Sequence, residues 1–208
     1  IKMLKDRYSN TRLGRQELFG DILEDIEGAL FNGANIEQNR VELTPTLTRI
    51  VVSIDPAVTS NASSDETGII VAGRGEDNHY YILEDFSGIF SPDVWIKKAI
   101  ECYYKFDADR IVCEVNNGGD LIEKLLRVQD VNVPYTSVRA TRGKMLRAEP
   151  ISALYEMDKT HHVGYFKQLE EQMTSYTPFT TKSPDRLDAL VWALTSLQSS
   201  GKAIFRIS

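Results

Sequence analysis

Near the N-terminus the apolar positions recur at helical spacing, with Leu18, Phe19, Ile22, Leu23, Ile26 and Leu30 on one stripe. The polar stretch NGANIEQNR that follows predicts a loop. Pro45, in VELTPTLTR, discourages a central strand there. From residue 49 the pattern changes to short β-branched runs. RIVVSIDPAV stops at Asp55-Pro56, and TGIIVAGRG and HYYILEDFSG follow on either side of a turn from Arg74 to Asn78. These three runs predict an antiparallel meander. SPDVWIKKAIECYYKF returns to helical spacing. Ser91 suits its N-cap, Pro92 its first position, and Trp95, Ala99, Ile100, Tyr103 and Phe106 share a face.

DRIVCEVN is a second β-branched run, ending its apolar stretch at Glu114. After a connecting helix of this length it should return parallel to the first strand. NNGGD predicts a turn, LIEKLLRVQ a helix, and VNVPYTSVRA an edge strand, since it contains Pro134. Residues 144–158 predict a helix, Val163 to Phe166 a small strand, LEEQMTSY a short helix, and Asp185 to Gln198 the last helix. Three strands in meander followed by alternating helices and strands imply an α/β fold. Its sheet is mixed, a three-strand antiparallel meander plus parallel strands, with helices on both faces. Two units are expected: a helical tail or linker over 1–48 and a main domain over 49–208.

Composition narrows the class. The 208 residues are 42% apolar and 26% charged, as in a soluble globular protein. No run of 18 apolar residues predicts a membrane span, and IKMLKDRYSN has no apolar signal core. The first residue is not Met, which suggests a fragment of a longer protein. Cys102 and Cys113 sit in apolar segments and are expected as buried thiols in a reducing compartment. They have no His or Cys partners at zinc-ligand spacing. The net charge of −6 argues against a surface built throughout to hold nucleic acid. A local basic track remains in SVRATRGKMLRAE, with Arg139, Arg142, Lys144 and Arg147.

The candidate chemistry lies in acids at element boundaries. Asp55 ends the first strand, Glu114 the fourth, and Asp185 and Asp188 begin the last helix in SPDRLDALVWAL. If the first and fourth strands are parallel neighbours, Asp55 and Glu114 emerge side by side at the sheet end that ligands favour. Clustered carboxylates repel one another, and a hard divalent cation such as Mg²⁺ or Mn²⁺ reverses that sign. Two such ions about 3.5–4 Å apart can activate water and stabilise the leaving oxygen of a phosphodiester. Each acid also has a structural reading. Asp55 suits a turn, and Asp185 and Asp188 suit the positive end of a helix dipole. Glu114 resists that reading, because it follows Ile-Val-Cys in a strand expected to be buried.

Asp55 in VVSIDPA, Glu114 in IVCEVN and DRLDAL at a late helix together resemble the ribonuclease H-like nucleases. DxxDAL is similar to the Holliday-junction resolvase branch. A closer resemblance is to the nuclease domain of the large terminase subunit of tailed bacteriophages. DPA…ETGIIVAG, CEVNNGGDLIEKLL, RATRGKMLRAEPISALYE, HHVGYFKQLEEQM and SPDRLDALVWAL follow in that family's order, and TRLGRQEL…GDILEDIEGALF resembles the stretch closing its ATPase domain. The resemblance implies a metal-dependent endonuclease domain of a DNA-packaging motor. It would cut concatemeric double-stranded DNA with Asp55, Glu114 and Asp185 or Asp188 holding the metals. It also implies an N-terminal ATPase domain in the same protein, portal and small terminase subunit as partners, and work at the procapsid in the bacterial cytoplasm.

One departure is the missing ATPase. In VRATRGKML, Val138 stands where a Walker motif needs Gly, and Met145 where it needs Ser or Thr, so no ATP site is expected here. Lys144 is the candidate cation beside the scissile phosphate. Arg139, Arg142, Arg147 and Asn116 are candidate DNA contacts, with a solvated basic face as the alternative. Asp65 and Glu66 read as a polar loop that could also approach the metals, and His161 and His162 as surface or packing residues, with general bases as the alternative. Asn117 could orient water or contact DNA, and Gly118 and Gly119 let the backbone approach a ligand or merely turn. Two other readings compete: a resolvase or transposase-like nuclease on the same fold, and a non-catalytic module that docks on DNA or a portal.

Overall fold

The computed structural model describes residues 26–57, 66–115, 119–181 and 183–199, with backbone alone at 119–121. Its elements are α1 (Gly33–Gln38), β1 (Leu47–Asp55), β2 (Gly68–Gly75), β3 (Tyr80–Asp85), α2 (Pro92–Lys105), β4 (Arg110–Glu114), α3 (Gly119–Gln129), β5 (Tyr135–Val138), α4 (Lys144–Glu156), β6 (Thr160–His162), α5 (Lys167–Ser175) and α6 (Asp185–Gln198). One six-stranded sheet has the order β5-β4-β1-β2-β3-β6. β1, β2 and β3 form the antiparallel meander, while β4 pairs parallel with β1 and β5 parallel with β4. β6 closes the far edge, parallel to β3.

Strand side chains alternate between faces, and here the alternation separates two cores. Val51 of β1, Ile70 and Ala72 of β2 and Val112 of β4 pack under α6, α4 and α5. Val52, Ile54, Ile69, Val71, Ile111 and Cys113 pack under α2 and α3 on the opposite face. Both cysteines are buried and free, as expected. Burial pushes the Cys102 thiol up to about 12 and raises that of Cys113 as well, so neither is a nucleophile.

Three local expectations are corrected. NGANIEQNR contains a helix, because the Asn32 side chain accepts the amides of Ala34 (2.7 Å) and Asn35 (3.3 Å) and so caps α1. The small strand lies at Thr160–His162 rather than 163–166. Val163 makes only an isolated bridge to Val41, and Gly164, at φ +97°, turns the chain away. Of the expected N-terminal helical stripe, Ile26 and Leu30 lie around a turn at Gly28 (φ +82°), and Leu18, Phe19, Ile22 and Leu23 fall outside the described residues.

Residues 26–46 pack against the main domain. Phe31 and Ile36 are buried in the same core as α6. Arg40 forks onto Glu170 of α5, with Nη1 to Oε1 at 2.8 Å and Nη2 to Oε2 at 2.9 Å, and also binds Glu37. His162 Nδ1 and the Phe166 amide complete the partners of Glu170, at 3.0 and 3.2 Å. Burial alone would push the Glu170 carboxyl up. The hydrogen bonds and charges of His162 and Arg40 outweigh it and hold the group down at about 2. A carboxylate depressed in the folded state stabilises the fold above its unfolded value of about 4.3. That stabilisation should disappear as pH falls from about 4 towards 2. Chemical unfolding should therefore show Glu170→Gln less stable than the parent by about 3 kcal/mol at pH 7, with the gap closing below pH 3.

Candidate active site

The same alternation that builds the two cores delivers the acids. Asp55 follows Val51 and Ser53 on the α6 face of β1, and Glu114 follows Val112 on the α6 face of β4. The parallel register Ile54↔Cys113 sets the two acids side by side at the C-terminal ends of their strands. α6 lies across β1 and β2 on that face. Its first turn carries Asp188, 3% exposed, and the half-buried Asp185.

Gly68 is what lets the helix come so close. Gly68 pairs with Asp55 across the sheet. A Cβ there would lie 2.1 Å from the Asp185 carbonyl oxygen and 2.9 Å from the Ala189 Cβ. Pro184 occupies the N-cap position without a side-chain bond. The amides of Arg186 and Leu187 instead donate to Gln172 Oε1 of α5, at 3.0 and 3.3 Å.

Lys144 and Arg147, on the first turn of α4, supply positive charge. Lys144 Nζ donates to Asp188 Oδ2 and to Ser183 Oγ (2.6 Å). Arg147 Nη1 donates to Glu114 Oε2 at 3.2 Å, and its Nη2 lies 3.6 Å from Asp188 Oδ1. The guanidinium rests 4.7 Å above the Trp192 ring, whose indole N–H donates to Glu114 Oε2. These cations do not balance the whole cluster. Burial, then the charges of Asp188 and Glu114, push the Asp55 carboxyl up to about 8 against the pull of Lys144. Asp188 is also raised, by burial, despite its bond to Lys144. The Lys144 ammonium is raised: burial opposes its charge, and the bond to Asp188 with the charges of Asp188, Asp55 and Asp185 prevails.

The structure thus brings together Asp55, Glu114, Asp185, Asp188, Lys144 and Arg147. Arg139 and Arg142 are exposed and form no ion pair with a described residue. Asn116, Asn117, Gly118 and Asp65 lie outside the described residues. Glu66 binds Arg186. His161 and His162 sit on β6, beyond β2 and β3 from Asp55. His161 stacks on His79 and Tyr81, and His162 bonds to Tyr155 and Glu170. Sequence reasoning missed Trp192, Gln172, Arg186 and Ser183. Trp192 was legible, since it stands four residues after Asp188 and shares its helix face.

Among the described residues no three His, Cys, Asp or Glu side chains stand ready as a metal-binding group. Lys144 and Arg147 engage the acids instead. The donor set nonetheless fits a hard divalent cation. It offers carboxylate oxygens only, and Asp55 has the elevated affinity for a proton expected where positive charge is lacking.

A mixed sheet of this order, with acids at the ends of its adjacent parallel strands and on a crossing helix, defines a ribonuclease H-like nuclease domain. Residues 52–197 match the terminase RNaseH-like domain family, and the chain belongs to that family. No curated protein matches it significantly in sequence. Among solved structures, the large terminase nuclease of thermophilic phage G20c superposes with a TM-score of 0.57 at 13% identity, covering 81% of this chain and 98% of that one. The nuclease domain of the large terminase subunit of bacterial virus Sf6 gives 0.59 at 11%, covering 80% and 98%. The HK97 bacteriophage large terminase gives 0.63 at 10%, covering 81% of this chain and 43% of that longer one. The chain therefore spans less than half of the HK97 protein. Structures of the G20c domain contain zinc or cobalt, and one of an Sf6 variant contains manganese.

Two outcomes follow from the packing of the acids. Gly68→Ala should displace the start of α6 and cost about 3 kcal/mol or more in denaturant unfolding, since backbone rather than a flexible side chain blocks the new methyl. Asp55 is a carboxyl raised on folding, so its ionisation opposes the fold. With EDTA present, Asp55→Asn should be more stable than the parent. Melting curves should show the gap widening by a few kcal/mol, on the order of the linked proton affinity, between about pH 4 and pH 8, then levelling.

Proposed function

We propose that the chain is the endonuclease domain of a viral DNA-packaging terminase and hydrolyses phosphodiester bonds of concatemeric double-stranded DNA. The observation that carries this reading is the convergence of Asp55, Glu114 and Asp188 on one sheet end, where burial and then the neighbouring acids push Asp55 up to about 8. Asp55, Glu114 and Asp188, with Asp185 at the rim, would hold Mg²⁺ or Mn²⁺, two ions in the family's two-metal scheme. Bound there, the ions would supply the charge that offsets the acids and the Lewis acidity that polarises a phosphodiester. Metals in the G20c and Sf6 relatives support this reading.

The chain's own residues have separate tasks. Lys144, at 42% side-chain exposure, is the cation open to solvent beside the acids and meets the non-bridging oxygens of the DNA phosphate. Arg147, at 11%, faces inward and holds Glu114 and Asp188 in place through charge and its seat on Trp192. Arg139, Arg142 and Asn116 would steer the backbone of the duplex. Residues 1–48 would be the tail of an ATPase domain of the same protein, or a linker to it. The portal and small terminase subunit are the remaining partners, at the procapsid in the bacterial cytoplasm.

Plasmid nicking tests the reading. The purified chain should nick supercoiled DNA in Mn²⁺ or Mg²⁺ and not in EDTA, with Asp55→Ala and Glu114→Ala each lowering the rate at least about 100-fold. Metal-independent nicking, or full activity in either variant, would overturn the metal centre. Folded protein that binds DNA without cutting in any metal would favour the docking module.

A further inference from the structure

Next to the acids lies a second polar cluster that the proposed chemistry does not use. Arg186 stands between Asp185 and Asp188 on α6, yet its side chain is only 4% exposed. Its Nη1 donates to Asp85 Oδ2, at the end of β3, at 2.7 Å. Its Nε and Nη2 donate to Glu66 Oε2 and Oε1, just before β2, at 3.1 and 3.2 Å. Gln172 of α5 donates from Nε2 to the same Glu66 Oε2 at 3.3 Å. Its Oε1 accepts the Arg186 and Leu187 amides described above. Three separate parts of the chain therefore converge on the first turn of α6.

Stability alone does not account for this cluster. Buried ion clusters are seldom more stabilising than well-packed apolar residues, whereas a guanidinium forked onto fixed acceptors specifies direction. Direction matters at this turn. α6 has no cap of its own at Pro184, and its start carries the acids. Octahedral Mg²⁺ tolerates little error in its oxygen positions. α5, which presents Gln172, is itself fixed. Arg40 grips its Glu170, and the Ile26 and Leu30 amides donate to the carbonyls of Thr174 and Tyr176 at 3.3 and 2.9 Å.

We propose that Arg186 and Gln172 are positioning residues, fixing the first turn of α6 so that Asp185 and Asp188 face Asp55 and Glu114 at the spacing a divalent cation requires. The inference rests on the metal reading of the preceding section.

The test is the melting temperature of the purified chain as a function of Mn²⁺ concentration. The parent is compared with Gln172→Met, Arg186→Lys and the control Val133→Ala. Gln172→Met keeps the side chain's length and removes its acceptor. Val133 is buried on the opposite face of the sheet, so its variant reports lost stability alone. The parent should melt higher as Mn²⁺ rises, since a ligand of the folded state stabilises it. Val133→Ala should melt lower but keep the parental Mn²⁺ midpoint. Gln172→Met and Arg186→Lys should move that midpoint up about tenfold or more, the usual effect of losing support behind a metal ligand. Parental midpoints in both variants would overturn the inference and leave the metal centre intact. No Mn²⁺ response in the parent would remove the metal centre and this inference together. If Arg186→Lys does not fold, Gln172→Met decides the matter, because Gln172 is only half-buried.

Discussion

Like charges brought together out of water are the constraint around which this domain is arranged. Asp55, Glu114 and Asp188 would separate if the backbone allowed it. They are kept together by a parallel strand pair and by a helix seated on a glycine. Lys144 and Arg147 relieve part of the repulsion, and burial together with what remains of it raises the carboxyl of Asp55. The fold thus holds its acids in an electrostatic arrangement that is incomplete without further positive charge. Such incompleteness is a liability for stability and an asset for cation binding.

Much of this was legible in the sequence because it follows from periodicity. The β-branched runs ending at Asp55 and Glu114 identify themselves as strands. The helix between them, with Ser91 and Pro92 at its start, makes the two strands parallel. Period two then decides which face each acid meets. The position of Lys144 at the N-terminus of α4 followed from the helix boundary. Other features had no local signal. Gln172 capping a helix that starts thirteen residues later is a tertiary event, and Gln172 reads as one more polar residue on an exposed helix. Arg186, flanked by two acids, reads as surface charge and is buried. Asn32 was legible in principle, as a residue type suited to N-caps, but the polar composition around it pointed to a loop.

The N-terminal segment shows a similar limit. Its change of pattern near residue 48 is real at the level of periodicity, since β1 begins at Leu47. Packing does not change at the same place. Phe31 and Ile36 belong to the core beneath α6, and Arg40 is bound to α5. A chain can therefore cross from one pattern to another without leaving a hydrophobic core. The residues ahead of β1 brace α5, and α5 supplies the cap of α6.

Charge distribution limits what this domain does alone. Of the four cations in the basic track, Lys144 and Arg147 are committed to the acids, and only Arg139 and Arg142 are both exposed and unengaged with described residues. Backbone affinity for DNA scales with the phosphates a protein neutralises. With two uncommitted cations in this track and a net charge of −6, the domain alone is expected to hold a duplex weakly. Under the proposed function, weak hold suits a nuclease domain carried by a packaging motor. A nuclease that gripped DNA tightly would cut wherever it landed, whereas one that depends on its neighbours for binding cuts where and when they present the strand.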